Sequence, residues 1–188
     1  MTPWSAQDEA RARDSDTAHA VAQRLIYPEI FGVSHTALSF EAVHKPDSEH
    51  SRILDAEMGV DRVVYVSVDG LRSPLKFTVQ ERFRSPEAAQ WQDLTITEWY
   101  TNSAGGSPAE LYRINAGLFV YGYYDKEKDE FLDVIAVDTA AMLRGIVQGV
   151  LRYDRGRNKR NQTFIAIKFS ELERNGVVVW RMPRRRIA

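Results

Sequence analysis

Cysteine is absent from the 188 residues, which excludes disulfides and thiolate metal sites and makes a reducing cytoplasm the expected compartment. Only four histidines occur, His19, His35, His44 and His50, and they show neither metal-ligand spacing nor a partner constellation. No apolar run approaches the ~20 residues that cross a bilayer, so no membrane contact is expected. The opening stretch "MTPWSAQDEARARDSD" has no apolar core of the signal-peptide kind. Gly-x-x-x-x-Gly-Lys and Gly-x-Ser-x-Gly are both missing, which argues against P-loop nucleotide chemistry and acyl hydrolysis. There is no internal repeat and no low-complexity tract.

A hydrophobic fraction of 44% is enough for a sizeable core. The net charge of −1 conceals an asymmetry. Residues 150–188 hold 11 Lys/Arg and 3 Asp/Glu, a net +8, while the other residues hold 14 basic and 23 acidic, a net −9. A basic C-terminal portion on an acidic body fits a polyanion contact, a homodimer contact or a solvated surface.

Hydrophobic periodicity predicts a mixed α/β domain over 15–188 behind a flexible leader, 1–14. Ser15 or Asp16 is the expected cap of a helix running to about Phe31, with Val21, Leu25 and Ile26 on one face, a kink or early end at Pro28 and a stop at Gly32. A short strand in "HTALSFEAVHK" precedes strong strands at Arg62–Val68, Phe77–Arg84 and Leu94–Tyr100. Ser107, Pro108 and Glu110 form a capping-box pattern that predicts a helix over 107–117, packed on the sheet. Further strands are expected at Leu118–Tyr124, Phe131–Val137, Thr163–Phe169 and Val177–Arg181. A helix capped by Asp138 or Thr139 and a basic loop, "RYDRGRNKRNQ", separate the last two pairs.

Two of these strands carry polar residues where a plain core strand carries Val or Ile. In "TVQERFR", side-chain alternation puts Val79, Glu81 and Phe83 on one face and Gln80, Arg82 and Arg84 on the other. Asp61, in "GVD", opens the preceding strand, so a hairpin between the two brings Asp61 near Arg82 or Arg84, with Gln80 within reach through sheet twist or a bulge. A carboxylate and a neutral oxygen can hold Mg²⁺ or Mn²⁺, and a neighbouring cation can stabilise charge on phosphorus. The competing readings are structural. Asp61 then caps a turn, Gln80, Arg82 and Arg84 form an exposed strand face, and Glu110 only completes its capping box. "LFVYGYYD" reads as a core strand rather than a base-stacking platform.

The pattern of Asp61, then Gln80-x-Arg82 nineteen residues on, resembles the PD-(D/E)XK nuclease superfamily, in its Mrr-like variant with Gln-x-Lys. The resemblance covers roughly residues 16–137 and implies a restriction-endonuclease-like core with a mixed central sheet flanked by helices. It implies Mg²⁺- or Mn²⁺-dependent hydrolysis of DNA, as in a restriction or phage system. Asp61 and Gln80 would ligate the metal, with Glu81 the alternative ligand if a bulge swaps faces, and Glu29 in "YPEIF" matches a helix glutamate of many members. The family's lysine is Arg82 here, which keeps the charge but does not readily release a proton. Arg84 and the loop residues Arg155, Arg157, Lys159 and Arg160 are the expected DNA contacts. The alternative is a nuclease-like fold without catalysis that binds nucleic acid or a protein partner.

Overall fold

The computed structural model describes residues 6–43, 58–101, 106–158 and 161–182, with side chains from residue 16 onward. Its centre is a six-stranded mixed sheet in the order β1-β2-β3-β6-β7-β10. The strands are β1 (Leu38–Ala42), β2 (Arg62–Val66), β3 (Leu75–Arg84), β6 (Leu118–Asp125), β7 (Glu130–Asp138) and β10 (Val178–Arg181). β3 and β6 run parallel, and every other neighbouring pair in this sheet is antiparallel. A second, antiparallel sheet has the order β5-β4-β9-β8, from β4 (Asp93–Tyr100), β5 (Ser107–Pro108), β8 (Asp154–Arg157) and β9 (Thr163–Lys168).

Helices α1 (Ala6–Leu25) and α2 (Tyr27–Phe31) cover one face of the large sheet. Ala18, Val21 and Ala22 recur at helical spacing and bury against Val64, Val79, Val120 and Val134. The helix begins at Ala6, well ahead of the expected cap at Ser15 or Asp16. Leu25 departs from the expected stripe and is exposed at the end of α1, whereas Val21 and Ile26 are buried as expected. Pro28 sits in the first turn of α2, where its missing N–H costs nothing. Gly32, at φ +63°, ends α2 in the left-handed region and donates its N–H to Pro28.

The other face of the large sheet packs on the second sheet. Leu94, Ile96, Ile165 and Ile167 meet Phe119, Tyr121, Tyr123, Ile135 and Val137, joined by residues of α3 (Thr139–Val147) and α4 (Phe169–Arg174). The Tyr123 hydroxyl bridges the two layers, donating to Asp93 O at 2.7 Å and accepting from Asp93 N at 2.9 Å. β6 is buried almost end to end, as expected of a core strand. Asp138 caps α3 by accepting from Ala141 N.

Two further expectations fail. The segment 107–117 is not a helix. Ser107 and Pro108 pair with Tyr100 and Trp99 of β4, and only Glu110–Tyr112 winds into a 3-10 turn. A residue before proline is biased toward extended backbone, and Ser107 takes that option. Glu110 does not reach back to cap; it is buried and turns inward to Arg82. The other correction concerns "DRGR", expected as loop, which is edge strand β8 paired with β9.

A candidate functional cleft beside the β2–β3 hairpin

The β2–β3 hairpin sets the geometry. Arg62 faces Val79 and Val66 faces Leu75, and Asp61 N donates to Val79 O at 3.0 Å. The regular register ends there, and the Asp61 bond to Val79 O leaves the Asp61 side chain in the same cavity as Gln80. Gly59 precedes them at φ +55°, and an added Cβ there would lie 3.1 Å from Ile114 and 3.6 Å from Gln80 Oε1. The tight turn therefore brings the chain against Gln80. The resulting cavity, about 160 Å³, is lined by Gly59, Asp61, Gln80 and Arg82 from one side and by Tyr100, Glu110 and Arg113 from the other.

Asp61 Oδ2 accepts one backbone bond, from Glu81 N at 2.8 Å. Its carboxyl is pushed up to about 6, chiefly by burial, with the charges of Glu81 and Glu110 adding to the effect and the Glu81 N–H and His19 opposing it. Gln80 donates through Nε2 to Glu110 Oε1 at 3.3 Å, while its Oε1 is buried without a hydrogen-bond partner. Arg82 donates through Nη2 to Glu110 and through Nη1 to Thr95 O at 3.0 Å. Glu110 Oε2 also accepts from Thr97 N at 3.3 Å. Arg82 is thus fixed by Glu110 and β4, not by Asp61.

Glu81 lies across the sheet, as the alternation predicts. Its side chain is fully buried, with Tyr27 Oη at 2.6 Å on Oε1, and Arg62 Nε at 2.9 Å and His19 Nδ1 at 2.8 Å on Oε2. Burial works to raise its pKa, but the His19 bond, the His19 and Arg62 charges and the Tyr27 bond outweigh it and hold the carboxyl below its ordinary value. Both oxygens are engaged on the helix side, so Glu81 does not contribute to the cleft. Glu29 is exposed on α2, in that same outer layer and away from Gln80 and Arg82.

The expected nucleic-acid residues are dispersed. Arg84, at the far end of β3, lies 5.6 Å over the Trp91 ring and 3.9 Å from Asp93. It borders a separate crevice of about 450 Å³ at the C-terminal ends of β3 and β6, which contains none of the other predicted residues. Arg155 lies on β8 and donates to Glu98 through Nε and Nη2 at 3.0–3.2 Å. Arg157 is exposed on the same strand, and Lys159 and Arg160 lie outside the described residues.

Among the described residues no three His, Cys, Asp or Glu side chains converge as a metal-binding group. Glu110 also lines the cleft, but its oxygens accept from Gln80, Arg82 and Thr97 N, and the carboxylate and amide oxygen less engaged there are those of Asp61 and Gln80. That pair fits a hard cation that keeps most of its waters. Glu110, Tyr100 and Arg113 are cleft residues that the sequence reading did not assign to the site. Glu110 was visible only as a capping box, and nothing local to Tyr100 or Arg113 marks them. Comparison with protein-family models, with curated proteins and with solved structures finds no match to this chain.

Proposed function

We propose that the cleft binds Mg²⁺ or Mn²⁺ and hydrolyses phosphodiester bonds of nucleic acid. The observation that carries this reading is the orphaned Gln80 Oε1 beside Asp61. A buried acceptor without a donor costs about 1–3 kcal/mol, and Asp61 is a half-buried carboxylate whose ionisation is opposed by burial and by two neighbouring acids. One cation relieves both. The helix, three antiparallel strands and then a parallel strand, α1-β1-β2-β3 and β6, also support the reading, because this order fits the nuclease resemblance. The crossover here carries β4, β5 and a 3-10 turn where the resemblance implies a helix.

When bound, a divalent cation supplies Lewis-acid charge next to the scissile phosphate. Asp61 and Gln80 Oε1 would hold it. Arg82, fixed by Glu110 and Thr95 O, presents a charge that needs no reorganisation when the phosphorus becomes more negative. Arg113 at the mouth adds a second cation for a non-bridging oxygen. Arg82 does not act as a base.

The test is cleavage of single- and double-stranded DNA and RNA by purified protein with Mg²⁺, Mn²⁺ or EDTA, for wild type and Asp61→Asn. Cation-dependent cleavage that Asp61→Asn abolishes is expected, together with a Mn²⁺-induced rise in Tm that the variant lacks. Cleavage unchanged in Asp61→Asn, or no cleavage and no Mn²⁺ effect on Tm, removes the proposal. A non-catalytic nucleic-acid-binding module is the second reading. It is favoured by the engagement of Arg82 with Glu110 and Thr95 O, and it takes over if binding is found without cleavage. A homodimer, useful for cutting both strands of a duplex, is tested by light scattering.

A further inference from the structure

A surface that shares Tyr100 and Arg113 with the cleft continues beyond it, and the chemistry above does not use the rest of it. Arg113, at the cleft mouth, is 5.9 Å over the ring of Tyr100. Its neighbour Tyr112 is 60% exposed, the most exposed of the large hydrophobic side chains after Val147 among the described residues. The Arg155 guanidinium lies 5.4 Å over the ring of Tyr153. The 3-10 turn is tied to β4 by Ala109 N donating to Glu98 O at 3.1 Å, and Glu98 in turn fixes Arg155. Three tyrosines and two guanidiniums therefore form one connected patch leading from β8 to the mouth of the Asp61–Gln80 cleft.

We propose that this patch binds single-stranded nucleic acid, stacking unpaired bases on the tyrosine rings and leading the strand to the cleft. The binding claim stands on the patch alone; the role of the strand as substrate rests on the proposed phosphodiesterase reading. Rings are of use to a nucleic acid only where its bases are unstacked, because a duplex hides the base faces and presents phosphates. Every base has a π-face, so such a surface tolerates any sequence. A cavity of about 160 Å³ admits a phosphate group and not a duplex. Tyrosine and arginine also mark protein interfaces. Arg113 beside Tyr100, with Arg155 and the exposed Arg157 on β8, puts three cations along the rings against Glu98, which favours a polyanion. Glu98 neutralises much of Arg155, so stacking rather than charge dominates, and the salt dependence is shallow.

The experiment is fluorescence anisotropy in EDTA, where no cation-dependent cleavage occurs, with labelled oligo-dT and oligo-U of roughly 12 nucleotides and a duplex of equal length. Both single strands are expected to bind more tightly than the duplex, and tight binding of either satisfies the proposal. Tyr112→Ala is expected to weaken single-strand binding about 5- to 150-fold, with Tyr112→Phe close to wild type. Tyr112 is exposed, so neither change endangers the fold. The log–log salt slope is expected to correspond to only a few contacts, each worth roughly 0.7. Duplex binding as tight as single-strand binding, no binding, or an unaffected Tyr112→Ala each overturn the proposal. Binding without cleavage removes the phosphodiesterase reading and leaves this surface standing. Cleavage of duplex without single-strand binding does the reverse.

Discussion

Asp61 and Glu81 are joined by a single hydrogen bond, from the backbone N–H of Glu81 to the Asp61 carboxylate, yet their acidities move in opposite directions. Glu81 is buried with Tyr27, Arg62 and His19 around it, while Asp61 has one N–H and two nearby acids. The sign of the consequence for Asp61 follows from proton linkage. Its folded pKa of about 6 lies above the ordinary 3.8, so the native protein binds the proton more tightly than the unfolded chain does. That contribution is fully present below about pH 3.8 and is lost as pH rises through about 6. It amounts to at most roughly 3 kcal/mol, at 1.36 kcal/mol per unit. Urea melts without divalent cations, from about pH 4.5 to about pH 7.5, are expected to show wild type losing stability relative to Asp61→Asn as pH rises. Parallel curves for the two proteins would mean that Asp61 does not carry this strain. Glu81 has the reverse sign: its contribution is present above the ordinary 4.5 and is lost as pH falls through its lowered folded value, so it affects the acid side of the range.

At the level of elements, Glu81 is the post to which the helical layer is tied. Tyr27 begins α2, His19 lies in α1 and Arg62 begins β2, so one carboxylate joins both helices to two strands. Arg62→Met removes the compensating charge from a buried glutamate and is expected to cost about 3–5 kcal/mol. Tyr27→Phe removes one donor and is expected to cost about 1–3 kcal/mol. Chemical denaturation checks both, and a loss below about 1 kcal/mol for Arg62→Met would show that the pair is not needed to hold the layer.

The hairpin that carries Asp61 and Gln80 was legible, because period-two alternation and the Asp69-Gly70 turn both appear in the local sequence. The second half of the cleft was not. Ser107-Pro108-Ala109-Glu110 satisfies a helix-start pattern over four residues, and only the arrival of Arg82, 28 positions earlier, makes the inward, non-helical Glu110 the better solution. Strand β8 was hidden for another reason: "DRGR" has no apolar alternation, since an edge strand needs only a ladder partner and a solvated face.

For the whole molecule, the decisive feature is that the second sheet is assembled from two distant parts of the chain. β4 and β5 lie within the crossover between the parallel strands β3 and β6, whereas β9 and β8 come only after β6, β7 and α3. Arg82 takes its backbone acceptor from Thr95 of β4, and β4 is held in the sheet chiefly by β9. A chain ended after Leu151 is therefore expected to lose the cleft as well as the sheet. The signs would be exposed apolar surface by dye binding and no Mn²⁺ effect on Tm. A truncated protein that keeps a cooperative melt and Mn²⁺ stabilisation would show that β4 stands without β9.

The same interleaving has a consequence during synthesis. A ribosome adding about 5–20 residues per second takes roughly 3–12 s to pass from Tyr100 to Thr163. Throughout that interval β4 has been made but its main ladder partner has not, and Leu94 and Ile96 have no Ile165 or Ile167 beside them. The nascent chain then presents an unpaired strand edge, the feature that recruits neighbouring chains on a polysome or a holdase chaperone. Slow codons placed between β4 and β9 would lengthen the exposure, so the yield of folded protein should depend on translation speed in that window more than on speed before β4.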